Sequence, residues 1–168
     1  MKMELVVREA RPEDAGPIVA VLNPIITSGL YTVFDAPLAE ETERQYITDF
    51  PARGIFHVAV LADDGIVVGF QSMEPFATYT HAFDHVGVLG SYVDLARRRQ
   101  GIATRLFVAT FEAARRKGYE SILTYIREDN PAALTAYARQ GFRAVGIAQR
   151  HAKIRGRYLD EVIVQKLL

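Results

Sequence analysis

Val93-Asp94-Leu95-Ala96-Arg97-Arg98-Arg99-Gln100-Gly101-Ile102-Ala103-Thr104 is the stretch on which the fold turns. The β-branched run Val86 to Val93 ends on it, a basic turn follows, and a helix opens at Gly101 and Ala103. Ile102, Leu106, Ala109 and Ala113 then recur at steps of four, three and four, which predicts an amphipathic helix to Arg116, stopped by Gly118. Small residues at the helix start let a ligand approach the backbone, and the free N–H groups of a first turn face outward at the positive end of the helix. Arginines around such donors suit a phosphate or pyrophosphate. A solvated basic turn is the other way to read the charge run. No Gly-Lys-Ser/Thr follows, so this is not a P-loop, and the glycine triplet of a dinucleotide fingerprint is missing.

Strand-like and helix-like runs alternate on both sides of this passage. Before it come a short β-rich run, Glu4 to Val7, and a helix entered through Arg11-Pro12-Glu13-Asp14 and running to about Ile26. A second amphipathic helix spans Pro37 to Phe50 through Leu38, Thr42, Tyr46 and Ile47. Phe56 to Leu61 and Ile66 to Met73 flank Asp63-Asp64-Gly65, a hairpin signal. Gly87 and Gly90 interrupt the Val86 to Val93 strand, where a bulge or a close backbone approach is expected. After the central helix come a buried-type strand, Ser121 to Ile126, and a short helix, Pro131 to Gln140, stopped by Gly141. Phe142 to Ile147 and Tyr158 to Leu167 complete the sheet. The order β-α-α-β-β-β-α-β-α-β-β predicts an α/β domain with a mostly antiparallel sheet and one crossover near its middle. With no repeat, low-complexity tract or linker, residues 1–168 read as one domain.

Composition narrows the function classes. The chain has 168 residues, 49% apolar and 24% charged, with 20 basic against 20 acidic side chains. That balance argues against a generic polyanion binder, so no nucleic-acid partner is expected. No apolar run approaches the ~18 residues that span a bilayer, and no membrane partner is expected. The start, Met1 to Asp14, is too charged for a signal peptide's apolar segment. The absence of cysteine removes disulfides, thiolate metal sites and a cysteine nucleophile, and fits a cytoplasmic protein.

A second motif lies downstream. Asn130-Pro131-Ala132-Ala133-Leu134-Thr135-Ala136-Tyr137-Ala138-Arg139-Gln140-Gly141-Phe142 sets Asn130 before a proline-started helix, with Tyr137 two turns along the same face. Helix capping by Asn130 and plain packing of Tyr137 would explain both residues structurally. Taken together, the two passages resemble the Gcn5-related N-acetyltransferase superfamily. Its acetyl-CoA loop, Arg/Gln-x-x-Gly-x-Gly/Ala, is similar to Arg98-x-x-Gly101-x-Ala103, and its Asn…Ala…Tyr…Gly-Phe signature to Asn130, Ala133, Tyr137, Gly141 and Phe142. Asn23-Pro24-Ile25-Ile26 and Lys153-x-x-Gly156-Arg157-Tyr158-x-Asp160 resemble the phosphinothricin and methionine-sulfone acetyltransferases, with tyrosine in place of tryptophan.

The resemblance implies a mixed, mostly antiparallel twisted sheet of about seven strands with about four flanking helices, and direct transfer of acetyl from acetyl-CoA to a primary amine. It implies that the backbone of Ser91, Tyr92 and Val93 pairs with the pantetheine arm as an added strand and polarises the thioester carbonyl. Arg98, Arg99, Gln100, Gly101, Ile102, Ala103 and Thr104 would cradle the pyrophosphate, Asn130 would bond the cofactor arm, and Tyr137 would protonate the departing thiolate. The acceptor would be a small-molecule amine, amino acids and their analogues included. An acyl-CoA-binding sensor without turnover and a protein or peptide N-acetyltransferase stand as alternatives.

One departure matters. The subfamily's glutamate, five positions before the residue matching Val93, is Val88 here, which accepts no proton. Glu74, His81, Asp84 and His85 are the candidate bases. His81-Ala82-Phe83-Asp84-His85 has metal-ligating residue types but lies in a loop without fixed geometry, and no metal is expected. Tyr31, Phe34, Phe76 and Tyr79 are candidates to line the acceptor side, although most aromatics fill core. The relatives commonly pair as dimers through C-terminal strands. Tyr158 to Leu167, apolar on both alternations, is expected to be buried on both faces, and a homodimer is expected.

Overall fold

In a computed structural model, which describes residues 4–168, the alternating runs become seven strands and four α-helices. β1 (Leu5–Glu9) is followed by α1 (Ala15–Ser28) and α2 (Glu40–Thr48). β2 (Ile55–Leu61), β3 (Val67–Pro75) and β4 (Val86–Val93) form a meander, and α3 (Ile102–Arg116) crosses over to β5 (Ser121–Arg127). α4 (Pro131–Arg139) precedes the ribbon of β6 (Arg143–Ile154) and β7 (Arg157–Leu167). The strands join one sheet in the order β1-β2-β3-β4-β5-β7-β6, antiparallel except where β4 meets β5. This is the α/β class, the element order and the mostly antiparallel sheet expected from the sequence. Met1 to Met3, part of the N-terminal stretch considered above, lie outside the described residues. Among the described residues, no helix is long and apolar enough to cross a membrane.

Two apolar layers hold the helices to the sheet. α1 buries Ile18, Val21, Leu22, Ile25 and Ile26 against Phe56, Val58 and Phe70 on one face. On the other face α3 buries Ile102, Leu106 and Ala113 of the expected stripe, with Ala109 half-buried, and also Phe107, Thr110 and Phe111, which that spacing does not single out. Its approach depends on Gly69, because a Cβ there would lie 3.0 Å from both Ile102 Cγ2 and the Tyr92 carbonyl oxygen. Each large side chain buried in these layers contributes roughly 1.5–3 kcal/mol.

Three sequence expectations need correction. α2 starts at Glu40 rather than Pro37, and its buried positions are Glu43 and Ile47, while Tyr46 is exposed. The strand expected over Phe142 to Ile147 runs on to Ile154. As the sheet's edge it is solvated on both faces, so nothing required an apolar alternation to mark its length. The two-sided burial expected for Tyr158 to Leu167 holds only in its middle: Leu159, Val162 and Val164 are buried, whereas Tyr158 and Leu167 are exposed.

The turn into α1 is fastened by charge. Arg8 on β1 donates two 2.8 Å bonds to the Asp14 carboxylate, which also accepts the Arg11 N–H at 2.8 Å. Burial on its own would raise the Asp14 carboxyl, but these donors outweigh it and hold the group below the usual carboxylate range. A depressed acid stabilises the fold above its unfolded value, near pH 4, and that contribution disappears as pH falls through the folded value. Asp14→Asn is therefore expected to cost about 1–3 kcal/mol at pH 7 and distinctly less near pH 3, as read from urea unfolding at both values.

Candidate active site

β4 and β5 run parallel for only three residue pairs, Val86–Ser121, Gly87–Ile122 and Val88–Leu123. Beyond Val88 they part, and between Leu89 and Val93 the β5-facing edge of β4 has no strand partner among the described residues. Thr124 spans the apex of the gap, its hydroxyl donating to the Leu89 carbonyl at 2.6 Å. A cavity of about 1630 Å³ opens there, reaching from the β4–α3 turn to the opposite face of the sheet.

The turn forms the cationic end. Gly101 caps α3 with φ +80°, and Arg99 has φ +62°, a left-handed conformation that side chains seldom adopt. A Cβ added at Gly101 would meet nothing within 4 Å, so the backbone faces open space. The first-turn N–H groups of a 15-residue helix thus stand at the cavity wall among Arg97, Arg98 and Arg99. The Arg98 guanidinium stacks 3.9 Å over the Tyr31 ring.

Of the residues singled out from sequence, Ser91, Tyr92, Val93, Arg98, Arg99, Gly101, Ile102, Ala103, Thr104, Asn130 and Tyr137 all line this cavity. Gln100 is exposed and does not. The Asn130 side chain caps α4, accepting the Ala133 N–H at 3.2 Å, and its amide nitrogen lies 3.5 Å from the Tyr31 carbonyl oxygen. Tyr137 is 8% exposed and packs edge-on against Phe107 and Phe142. Burial pushes its phenol well above the ordinary tyrosine range, with the nearby Tyr92 adding to the rise and the neighbouring Thr124 hydroxyl opposing it. It therefore remains a proton-bearing donor at the apex.

The other end of the cavity lies on the α1 face. The segment after α1 carries Tyr31, Thr32 and Val33 into it and is fastened from both sides. The Asn23 amide exchanges bonds of 3.0 and 2.9 Å with the Leu38 backbone. The buried Arg127 donates to the Gly29 and Thr32 carbonyls at 2.8 and 3.0 Å and grips Asp129 with two 2.8 Å bonds. Tyr92 stacks on Phe70 with ring centroids 5.0 Å apart.

The candidate bases separate cleanly. Glu74 lines the cavity and is the direct cross-strand partner of Val88, on the same face of the sheet. Its carboxylate accepts a hydrogen bond from the Tyr46 hydroxyl, and burial together with that charge pushes the Tyr46 phenol well up. His81, Asp84 and His85 do not line the cavity: His81 Nδ1 lies 3.0 Å from Asp84, and Arg53 takes the Asp84 carbonyl at 2.7 Å. Of the aromatics, Tyr31 and Phe76 are in the wall, Phe34 sits 6.4 Å from the Tyr92 ring, and Tyr79 is 83% exposed. Sequence reasoning misses other wall residues, among them Thr124, Arg127, Tyr125, His151 and the buried Glu161; His151 reaches Glu161 through a bulge that no sequence pattern marks. Glu43, buried on α2 without a hydrogen-bond partner among the described residues, was missed too, and burial raises its carboxyl.

A family model described as Acetyltransferase (GNAT) family matches residues 26–142, which include the splayed strand, the turn and the Asn130–Tyr137 helix. The chain belongs to this family of acetyl-CoA-dependent N-acetyltransferases. A Bacillus subtilis protein, YwnH, provisionally named a phosphinothricin acetyltransferase, is 24% identical over 164 residues, spanning 98% of this chain and 99% of that protein. A ribosomal-protein-alanine N-acetyltransferase from Brucella melitensis is 26% identical, with a TM-score of 0.87 over 97% of this chain and 99% of that one. A Sinorhizobium meliloti phosphinothricin acetyltransferase, solved with acetyl-CoA, shares the fold at 20% identity, with a TM-score of 0.88 over 99% of this chain and 89% of that one.

Gly101→Glu is expected to weaken CoA binding at least about 100-fold, since it sets a bulky anion where a diphosphate would sit and strains a left-handed position. Isothermal calorimetry against CoA reads this directly. Wild-type affinity in the variant would place the diphosphate elsewhere.

Proposed function

We propose that this protein transfers acetyl from acetyl-CoA directly to the primary amine of a small molecule. The observation that carries the reading is the gap between β4 and β5, with an unpaired strand edge and a buried phenol at its apex. The residues fit the donor: the backbone of Ser91 to Val93 offers a strand edge to the pantetheine arm, and the turn from Arg98 to Thr104 offers N–H groups and charge to the diphosphate. Acetyl-CoA supplies an activated acyl group whose thiolate leaves readily.

This chain's own residues do the rest. Glu74, one strand across from Val88, accepts the proton that the incoming ammonium must lose. Tyr137 holds its proton and donates to the sulfur as charge develops there. Without cysteine, the chain has no thiol to carry the acyl group covalently, which supports direct transfer. The homodimer expected from the resemblance belongs to the same proposal, and light scattering tests it.

Tyr137→Phe is expected to lower turnover roughly 100-fold, with CoA affinity within about twofold. Glu74→Gln is expected to lower turnover by a similar factor, and raising pH should partly restore it as free amine becomes abundant. Thiol release from acetyl-CoA with a panel of small amines checks both. The name of the Brucella relative supports a second reading, acetylation of a protein N-terminus. Turnover on peptides but on no small amine would favour it.

A further inference from the structure

The α1-face end of the cavity has a feature that neither the fold nor the transfer chemistry requires. Register in the β6–β7 ribbon passes from Ala148–Glu161 to Ala152–Leu159, so β6 carries extra residues at 149–151. Arg150 takes a left-handed φ of +53° in this bulge, and its N–H is pinned to Asp160 at 2.7 Å. Bulges re-aim side chains beside functional sites. This one aims His151 back over the sheet, with Nδ1 2.7 Å from Glu161 Oε2 and its ring 5.3 Å from that of Tyr125. A carboxylate only accepts, so the imidazole Nδ1–H is the donor.

Glu161 is unusual in its position. Its side chain is only 6% exposed, yet it lines the cavity, and its Oε1 has no hydrogen-bond partner among the described residues. Taking a carboxylate this far out of water is costly unless something positive meets it. Arg127, its cross-strand neighbour, attracts it through space but gives it no bond: four of its five N–H donors go to Asp129, Gly29 and Thr32. Tyr125 lines the same wall, two residues from Arg127 on the same face of β5 and hence diagonal to Glu161, and a ring face attracts an ammonium. Of the cations nearest this end, Arg127 is bonded to Asp129, Gly29 and Thr32, and Arg98, stacked over Tyr31, belongs to the diphosphate turn, while Glu74 and Glu161 both present negative charge.

We propose that the acceptor is a small diamine without a carboxylate, its far ammonium held by Glu161 and the Tyr125 ring while its near amine is acetylated. This rests on the amine-acetylating reading above and names its substrate class. In the transfer the near ammonium loses a proton to Glu74, a C–N bond forms to the acetyl carbon, and the C–S bond breaks. The nitrogen sheds its second proton as the thiolate takes one by way of Tyr137. The products are a mono-N-acetyldiamine that keeps one positive charge, CoA thiol and one proton released to water.

The test compares three acceptors of one chain length: 1,5-diaminopentane, pentylamine, which lacks the second ammonium, and lysine, which adds a carboxylate. Thiol release should give 1,5-diaminopentane a kcat/KM at least about tenfold above either of the others. Glu161→Gln should collapse its advantage over pentylamine toward unity, mainly through KM, and Tyr125→Leu should narrow it too, which keeps the comparison open if the first variant does not fold. Equal kcat/KM for diamine and monoamine, or a preference for lysine, would overturn the diamine assignment and leave amine acetylation standing. Thiol release with none of the amines would instead overturn the amine-acetylating reading itself, and the diamine with it.

Discussion

The separation of β4 from β5 is the constraint on which the site depends. Two parallel strands that pair for three residues and then diverge leave backbone donors and acceptors along Leu89 to Val93 facing a cavity rather than a neighbour. Buried backbone groups left without partners are costly, so such an edge demands a ligand or water. The rest of the central architecture keeps the gap from closing. Thr124 fixes its apex by bonding the Leu89 carbonyl, and Phe107, Phe142 and Tyr137 pack as a wedge of rings beside it. Gly69 lets α3 come close enough to β3 for its N-terminus to stand at the mouth.

Charge is sorted along the cavity. Arg97, Arg99 and free helix N–H groups stand at the turn end, with Arg98 leaning over Tyr31; Glu74 and Glu161 stand at the α1-face end, where Arg127 is bonded to Asp129, and neutral hydroxyls line the apex between them. This arrangement suits a polyanionic donor entering from one side and a cationic acceptor from the other, each drawn to its own end by long-range field before contact. The α1-face end is fastened by side-chain hydrogen bonds. The segment from Gly29 to Leu38 has no strand or helix of its own, and Asn23 and Arg127 supply the hydrogen bonds that secondary structure would otherwise provide.

The elements of the turn end were legible in sequence because local rules govern them. Val86–Val93 and Ile102–Arg116 fall where β-branching and helical periodicity put them, and Gly101 marks the left-handed cap between them. The α1-face end was not legible, because its geometry comes from register. Glu74 stands opposite Val88 only once β3 and β4 are paired, and a one-residue slip would turn it to the other face. His151 reaches Glu161 only through the β6 bulge, whose left-handed residue is an arginine rather than a telltale glycine. The length of β6 was hidden for a related reason: an edge strand solvated on both faces leaves no alternating pattern. Glu43, a buried carboxyl at a position where helical spacing calls for an apolar side chain, shows tertiary context overriding the pattern outright.

The most direct measurement of the splayed-strand account is a crystal structure of the protein with CoA. The pantetheine arm should lie along the open edge of Leu89 to Val93, with the diphosphate on the N–H groups from Arg99 to Thr104 and the sulfur within hydrogen-bonding reach of the Tyr137 hydroxyl. CoA seated away from that edge, or a sheet in which β4 and β5 zip together past Val88, would contradict it.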